Sequence, residues 1–146
     1  MTHKEKANEL LQQGYHCSQA LFGAFANDLG MDLKTAFKIS TCFGGGMRQG
    51  GTCGCITAAM LVLGMTLGFY DAQDKEQEIY GNKKTDEFVK RFSQKMDGDV
   101  SCRDILGKDI SKPEGLAAIR KEGLILKKCP RAINISIELL EEMLEE

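Results

Sequence analysis

Six cysteines carry the reactive chemistry of this 146-residue chain. Four of them, Cys17, Cys53, Cys102 and Cys129, fall in separate segments where the sequence signals a helix start. The first turn of a helix leaves backbone N–H groups unpaired, so a sulfur held there sits in a field that favours thiolate over thiol. Thiolate is the form that attacks disulfides and binds metals. If the four helix starts converge, the sulfurs can serve thiol–disulfide exchange or electron transfer. Alternatively, Cys17, Cys53, Cys102 and Cys129 are four ligands for a metal, either zinc or an iron–sulfur cluster.

Each sulfur has its own setting. Cys53 follows a glycine-rich stretch whose backbone can turn N–H groups toward a sulfur, which makes it the expected attacking thiolate. Cys17 has His16 beside it, Cys102 has Arg103, and Cys129 has Lys127, Lys128 and Arg131, all cations that favour ionisation. Cys55 is expected on a different side of the same helix turn as Cys53, as a reserve or resolving thiol. Cys42, at the end of a helix, is read as core. With only His3 and His16 in the chain, histidine-based metal catalysis is disfavoured.

Composition narrows the partners. A net charge of −2, from 19 basic and 21 acidic residues, leaves no footprint for nucleic acid or an anionic membrane. Met1 to Lys6 run into charged, helix-forming sequence without an apolar signal core, so a cytoplasmic location is expected. In a reducing compartment, clustered cysteines point to redox or metal chemistry rather than static disulfides. A redox partner protein, a small thiol or a second copy of the chain are the partners this reading admits. The third alternative is a non-catalytic helical interaction module in which the cysteines only pack.

The elements that must position the sulfurs are helices, because apolar residues recur at helical spacing and alternating runs are scarce. The expectation is an all-α single domain over residues 1–146, a bundle of about five to seven helices in which a glycine-rich loop leads into a central buried helix. Lys4 to Gln13 carry Ala7, Leu10 and Leu11 on one side, with Gly14 as the stop. A helix from Cys17 buries Leu21, Phe22, Phe25 and Leu29, and Asp32 caps the next through Ser40. Phe43 to Gly51 is read as a loop, and Thr52 as the cap of a buried helix through Leu67. Gln73 to Met96 form a long polar helix with Tyr80, Phe88, Phe92 and Met96 as its apolar contacts. Ser101 caps a short helix closed by Gly107, and a further helix from Ser111–Pro113 ends near Gly123. The last helix is expected to start at Cys129–Pro130, since proline suits the first helical position. Its inward stripe is Ala132, Ile133, Ser136, Ile137, Leu140, Met143 and Leu144, and Glu141, Glu142, Glu145 and Glu146 form a solvated face.

The segment Gly14-Tyr15-His16-Cys17, the glycine stretch ending Thr52-Cys53-Gly54, and the lone cysteines of Ser101-Cys102-Arg103-Asp104 and Lys128-Cys129-Pro130 together resemble the C_GCAxxG_C_C family of small redox proteins. The likeness spans nearly the whole chain and implies that Cys17, Cys53, Cys102 and Cys129 are the shared sulfur set. Cys55 stands where the motif has alanine and Ala58 where it ends in glycine. A similar domain in a multihaem cytochrome family keeps an iron–sulfur site among the alternatives.

Overall fold

Capping chemistry sets the helix starts in the computed structural model, which describes residues 1–145, so Glu146 of the expected acidic face lies outside it. Thr2 Oγ1 accepts the Glu5 N–H at 3.1 Å and the Glu5 carboxylate accepts the Thr2 N–H at 3.0 Å, opening α1 (His3–Gln12). The second helix, α2 (Cys17–Phe25), follows Gly14. Asp32 accepts the Thr35 N–H at 2.7 Å to start α3 (Leu33–Ser40). Then come α4 (Gly54–Leu67), α5 (Lys75–Lys95), α6 (Cys102–Leu106), α7 (Pro113–Glu122) and α8 (Leu124–Leu144). The fold is all-α: no strand occurs among the described residues, and the eight α-helices are one more than the largest number expected. The short α6 persists as a helix because Ser101 Oγ accepts the Asp104 N–H and Gly107 closes the other end in the left-handed region.

The core forms around α4, which packs against α2, α5 and α8. Ala58, Ala59 and Val62 of α4 are fully buried, as are Phe88 and Phe92 of α5 and Ile133, Ile137, Leu139 and Leu140 of α8. Burying each of the larger side chains contributes about 1.5–3 kcal/mol. Two buried hydroxyls tie the helices together. Ser18 Oγ donates to the Ser40 carbonyl at 2.8 Å, and Ser136 Oγ donates to the Cys55 carbonyl at 2.9 Å. Cys102, Leu106, Ile119 and Leu124 form a smaller apolar cluster, and Cys129 packs against both it and the main core. No helix among the described residues is long and apolar enough to cross a membrane.

Four local expectations are corrected. The cap of α4 is Cys53 and not Thr52, because Thr52 is drawn into an antiparallel bridge with Ser101. The last helix starts at Leu124 and not at Cys129–Pro130. Gly123, left-handed at φ 63°, ends α7 and opens α8 at once, which leaves Pro130 inside the helix. Tyr80 is exposed rather than packed, with the Lys84 ammonium 5.7 Å from its ring centroid. The glycine stretch is not irregular: Gly45, Gly46, Met47 and Arg48 run consecutively in the left-handed region, and the Gly51 N–H closes the turn on the Gly46 carbonyl at 3.2 Å.

Candidate functional site

Three helix starts bring sulfurs together. Cys17 is the first residue of α2, where the His16 N–H donates to Gln19 Oε1 at 3.0 Å. Cys53 caps α4, and its sulfur accepts the Cys55 N–H at 3.4 Å. Cys102 opens α6 beside it, because the Thr52–Ser101 bridge pairs the two approaches. The Cys53 N–H donates to the Val100 carbonyl at 2.9 Å and the Cys102 N–H to the Gly51 carbonyl at 2.7 Å. Cys129 reaches the same region from the second turn of α8 and not from a helix start.

Glycine makes the approach of α2 to α4 feasible. A Cβ on Gly54 would lie 2.8 Å from the Cys17 sulfur, inside contact distance, so only glycine leaves the sulfur its place against the first turn of α4. A Cβ on Gly44 would meet His16 Cγ at 2.6 Å, so the glycine turn closes directly onto the residue preceding Cys17.

The sulfurs are electrostatically unequal. The Cys53 and Cys55 thiols, in that order, donate to the Cys17 sulfur, and these bonds hold Cys17 well below the ordinary thiol value against the opposing effect of burial. The His16 charge and the Ser18 N–H act in the same direction. The bond to Cys17 raises Cys53 in turn, and the bonds to Cys17 and Cys53 raise Cys55. Burial, with Cys17 and Asp109 adding repulsion, pushes Cys102 up to about 11. Burial and the other sulfurs also raise Cys129. The site therefore favours charge on Cys17 over charge on the sulfurs around it.

This pattern revises several expectations. The Cys17 thiol is pulled down and the Cys53 thiol pushed up, so the electrostatics favour charge on Cys17 where the sequence pointed to Cys53. Cys55 does not point away: it is fully buried and faces Cys17 as Cys53 does. The cations next to Cys102 and Cys129 do not set their ionisation. Arg131 instead reaches Asp97 at 3.3 Å and the Lys95 carbonyl at 3.1 Å. Cys42 is exposed on the turn Thr41–Phe43 and belongs neither to the core nor to the site.

Cys17, Cys102 and Cys129 line one cavity of about 370 Å³, together with Tyr15 and His16, while Cys53 and Cys55 are buried beyond Cys17. Among the described residues, no group of three or more His, Cys, Asp or Glu side chains stands in position to hold a metal ion. Sequence reasoning missed the Thr52–Ser101 bridge and set Cys55, named as a reserve thiol, on another side of the helix turn, and both depend on contacts between distant segments. The five glycines between positions 44 and 51 were the one available signal of left-handed backbone.

A family model described as "Putative redox-active protein (C_GCAxxG_C_C)" matches residues 15–143, nearly the whole chain. No curated protein and no solved structure matches significantly.

Proposed function

The chain belongs to the C_GCAxxG_C_C family of redox-active proteins, and from that premise we propose that it reduces a disulfide with its own thiols, Cys17 attacking and Cys53 resolving. The observation that carries this reading is the meeting of Cys17 at the start of α2 with Cys53 and Cys55 at the start of α4, where their thiols favour charge on Cys17. In the first step Cys17 forms a bond to one sulfur of the target disulfide, whose S–S bond breaks and releases a thiolate. In the second, Cys53 bonds to the Cys17 sulfur and gives its proton to the departing second sulfur. The target gains two electrons and the protein becomes the Cys17–Cys53 disulfide. Cys53 is preferred to Cys55 as the resolving thiol because it sits at the cap of α4, where the Cys55 N–H at 3.4 Å supports its thiolate as it forms.

Iodoacetamide alkylation of the reduced protein, followed residue by residue with mass spectrometry across pH, tests the reading. Cys17 should react well below the ordinary thiol range, and Cys53→Ser should trap the mixed disulfide on Cys17. Uniformly slow alkylation at neutral pH overturns it. A visible chromophore with stoichiometric iron after anaerobic purification would replace it with a four-sulfur cluster site.

A further inference from the structure

The cavity beside Cys17 has a wall chemistry that the exchange reaction alone does not require. Its sides are apolar, with Leu106, Ile110, Ile119 and Leu126 among them, and Leu126 is 56% exposed at the rim. Among the described residues, the charged side chains lining it besides His16 and the sulfurs are Arg48 and Arg120, and no carboxylate lines it. That is a local excess of positive charge on a chain whose net charge is −2. Neither arginine makes an ion pair among the described residues. The nearby Asp109 carboxylate is occupied, accepting the Ser111 N–H at 2.9 Å and the Ser111 hydroxyl at 2.6 Å.

Arg48 reaches this position at a cost. Its φ of 63° follows Met47 at 57°, a left-handed backbone that side-chain-bearing residues rarely adopt. Strain of this kind persists where surrounding structure imposes it, and it concentrates at functional sites. The volume of about 370 Å³ is at the small end of the range for small-molecule sites, roughly 300–1,000 Å³.

We infer that the cavity selects a low-molecular-weight disulfide with an apolar body and a carboxylate, the carboxylate held by Arg48 and Arg120 and the disulfide presented to Cys17. This inference rests on the exchange reading above and names its substrate class. The reaction is the two-step exchange already written, with both halves of the small disulfide leaving as thiols or thiolates.

Dithiobis-nitrobenzoate, an aromatic disulfide with carboxylates, and cystamine, a cationic disulfide, serve as probes of single-turnover oxidation of the reduced protein. Each rate is divided by the same reagent's rate with a free thiol in solution, and by the iodoacetamide rate of the same protein variant. The aromatic anion should be preferred by about tenfold or more, in line with electrostatic focusing in a charged cleft. Joint Arg48→Ala and Arg120→Ala substitution, both at exposed positions, should bring that ratio close to unity, and raised salt should do so partially. Naphthoate, which has the apolar body and the carboxylate without the disulfide, should protect Cys17 from iodoacetamide in the parent protein and not in the double variant. Rapid alkylation of Cys17 with equal normalised rates for the two disulfides and no naphthoate protection overturns the inference and leaves the exchange reading standing. Slow alkylation of Cys17 at neutral pH removes both.

Discussion

Cys17 and Cys53 carry identical side chains at neighbouring helix starts, yet their thiols are shifted in opposite directions. The difference lies in who donates: Cys17 accepts from both the Cys53 and Cys55 thiols, whereas Cys53 accepts from Cys55 but donates to Cys17. Cys53→Ala therefore removes the strongest donor, and the Cys17 titration, read by pH-dependent alkylation, should move upward. A Cys17 midpoint unchanged in that variant would show that the helix field and His16 suffice. Cys42, exposed on its turn, should alkylate without altering the other sulfurs' reactivity.

At the scale of elements, the site depends on how closely α2 approaches α4. Gly54→Ala would place a methyl group 2.8 Å from the Cys17 sulfur, and because neither helix start has free room the sulfur must shift. Overpacking of this kind costs about 1–3 kcal/mol, measurable by urea unfolding, and the same variant should slow Cys17 alkylation at neutral pH. The left-handed turn supplies a test of opposite sign. Met47 is half exposed at φ 57°, so Met47→Gly relieves about 1–2 kcal/mol of backbone strain, offset by about 0.5–1 kcal/mol of added unfolded-state freedom. A net gain of up to about 1 kcal/mol is expected, with no change at Cys17.

For the whole molecule, the thiols impose a pH dependence whose sign follows from proton counting. Cys17 is depressed in the folded state. Its contribution is complete above the unfolded thiol value of 9.0 and is lost as pH falls through its folded value. Cys53, Cys55, Cys102 and Cys129 are raised, so above 9.0 the unfolded chain gives up protons that the folded chain keeps, and stability falls. For Cys102 that decline runs from 9.0 to about 11. Denaturant midpoints should therefore show the thiol contribution peaking near pH 9.0, and Cys17→Ser should remove the rising side and weaken the falling one, since Cys17 also raises the other four thiols. The core itself is conventional: Leu140→Ala, fully buried near the C-terminal end of α8, should cost about 2–5 kcal/mol at any pH.

Local chemistry written in the sequence determined the helices. Thr2, Asp32 and Ser101 cap as their hydroxyl or carboxylate chemistry dictates, Gly107 and Gly123 stop helices by tolerating positive φ, and the stripe from Ala132 to Met143 faces inward by its spacing. The four separate cysteines were visible as a set for the same reason, since cap and stop signals lie next to them. Tertiary structure alone decided which sulfur is charged, because a proton's place among Cys17, Cys53 and Cys55 depends on distances across segments that sequence spacing does not contain. It also decided that Cys129 enters from inside α8 and that Thr52 bonds Ser101 instead of capping α4. At Thr52 a partner remote in the chain outcompeted the local preference, whereas α8 starts early because Gly123 turns the chain there.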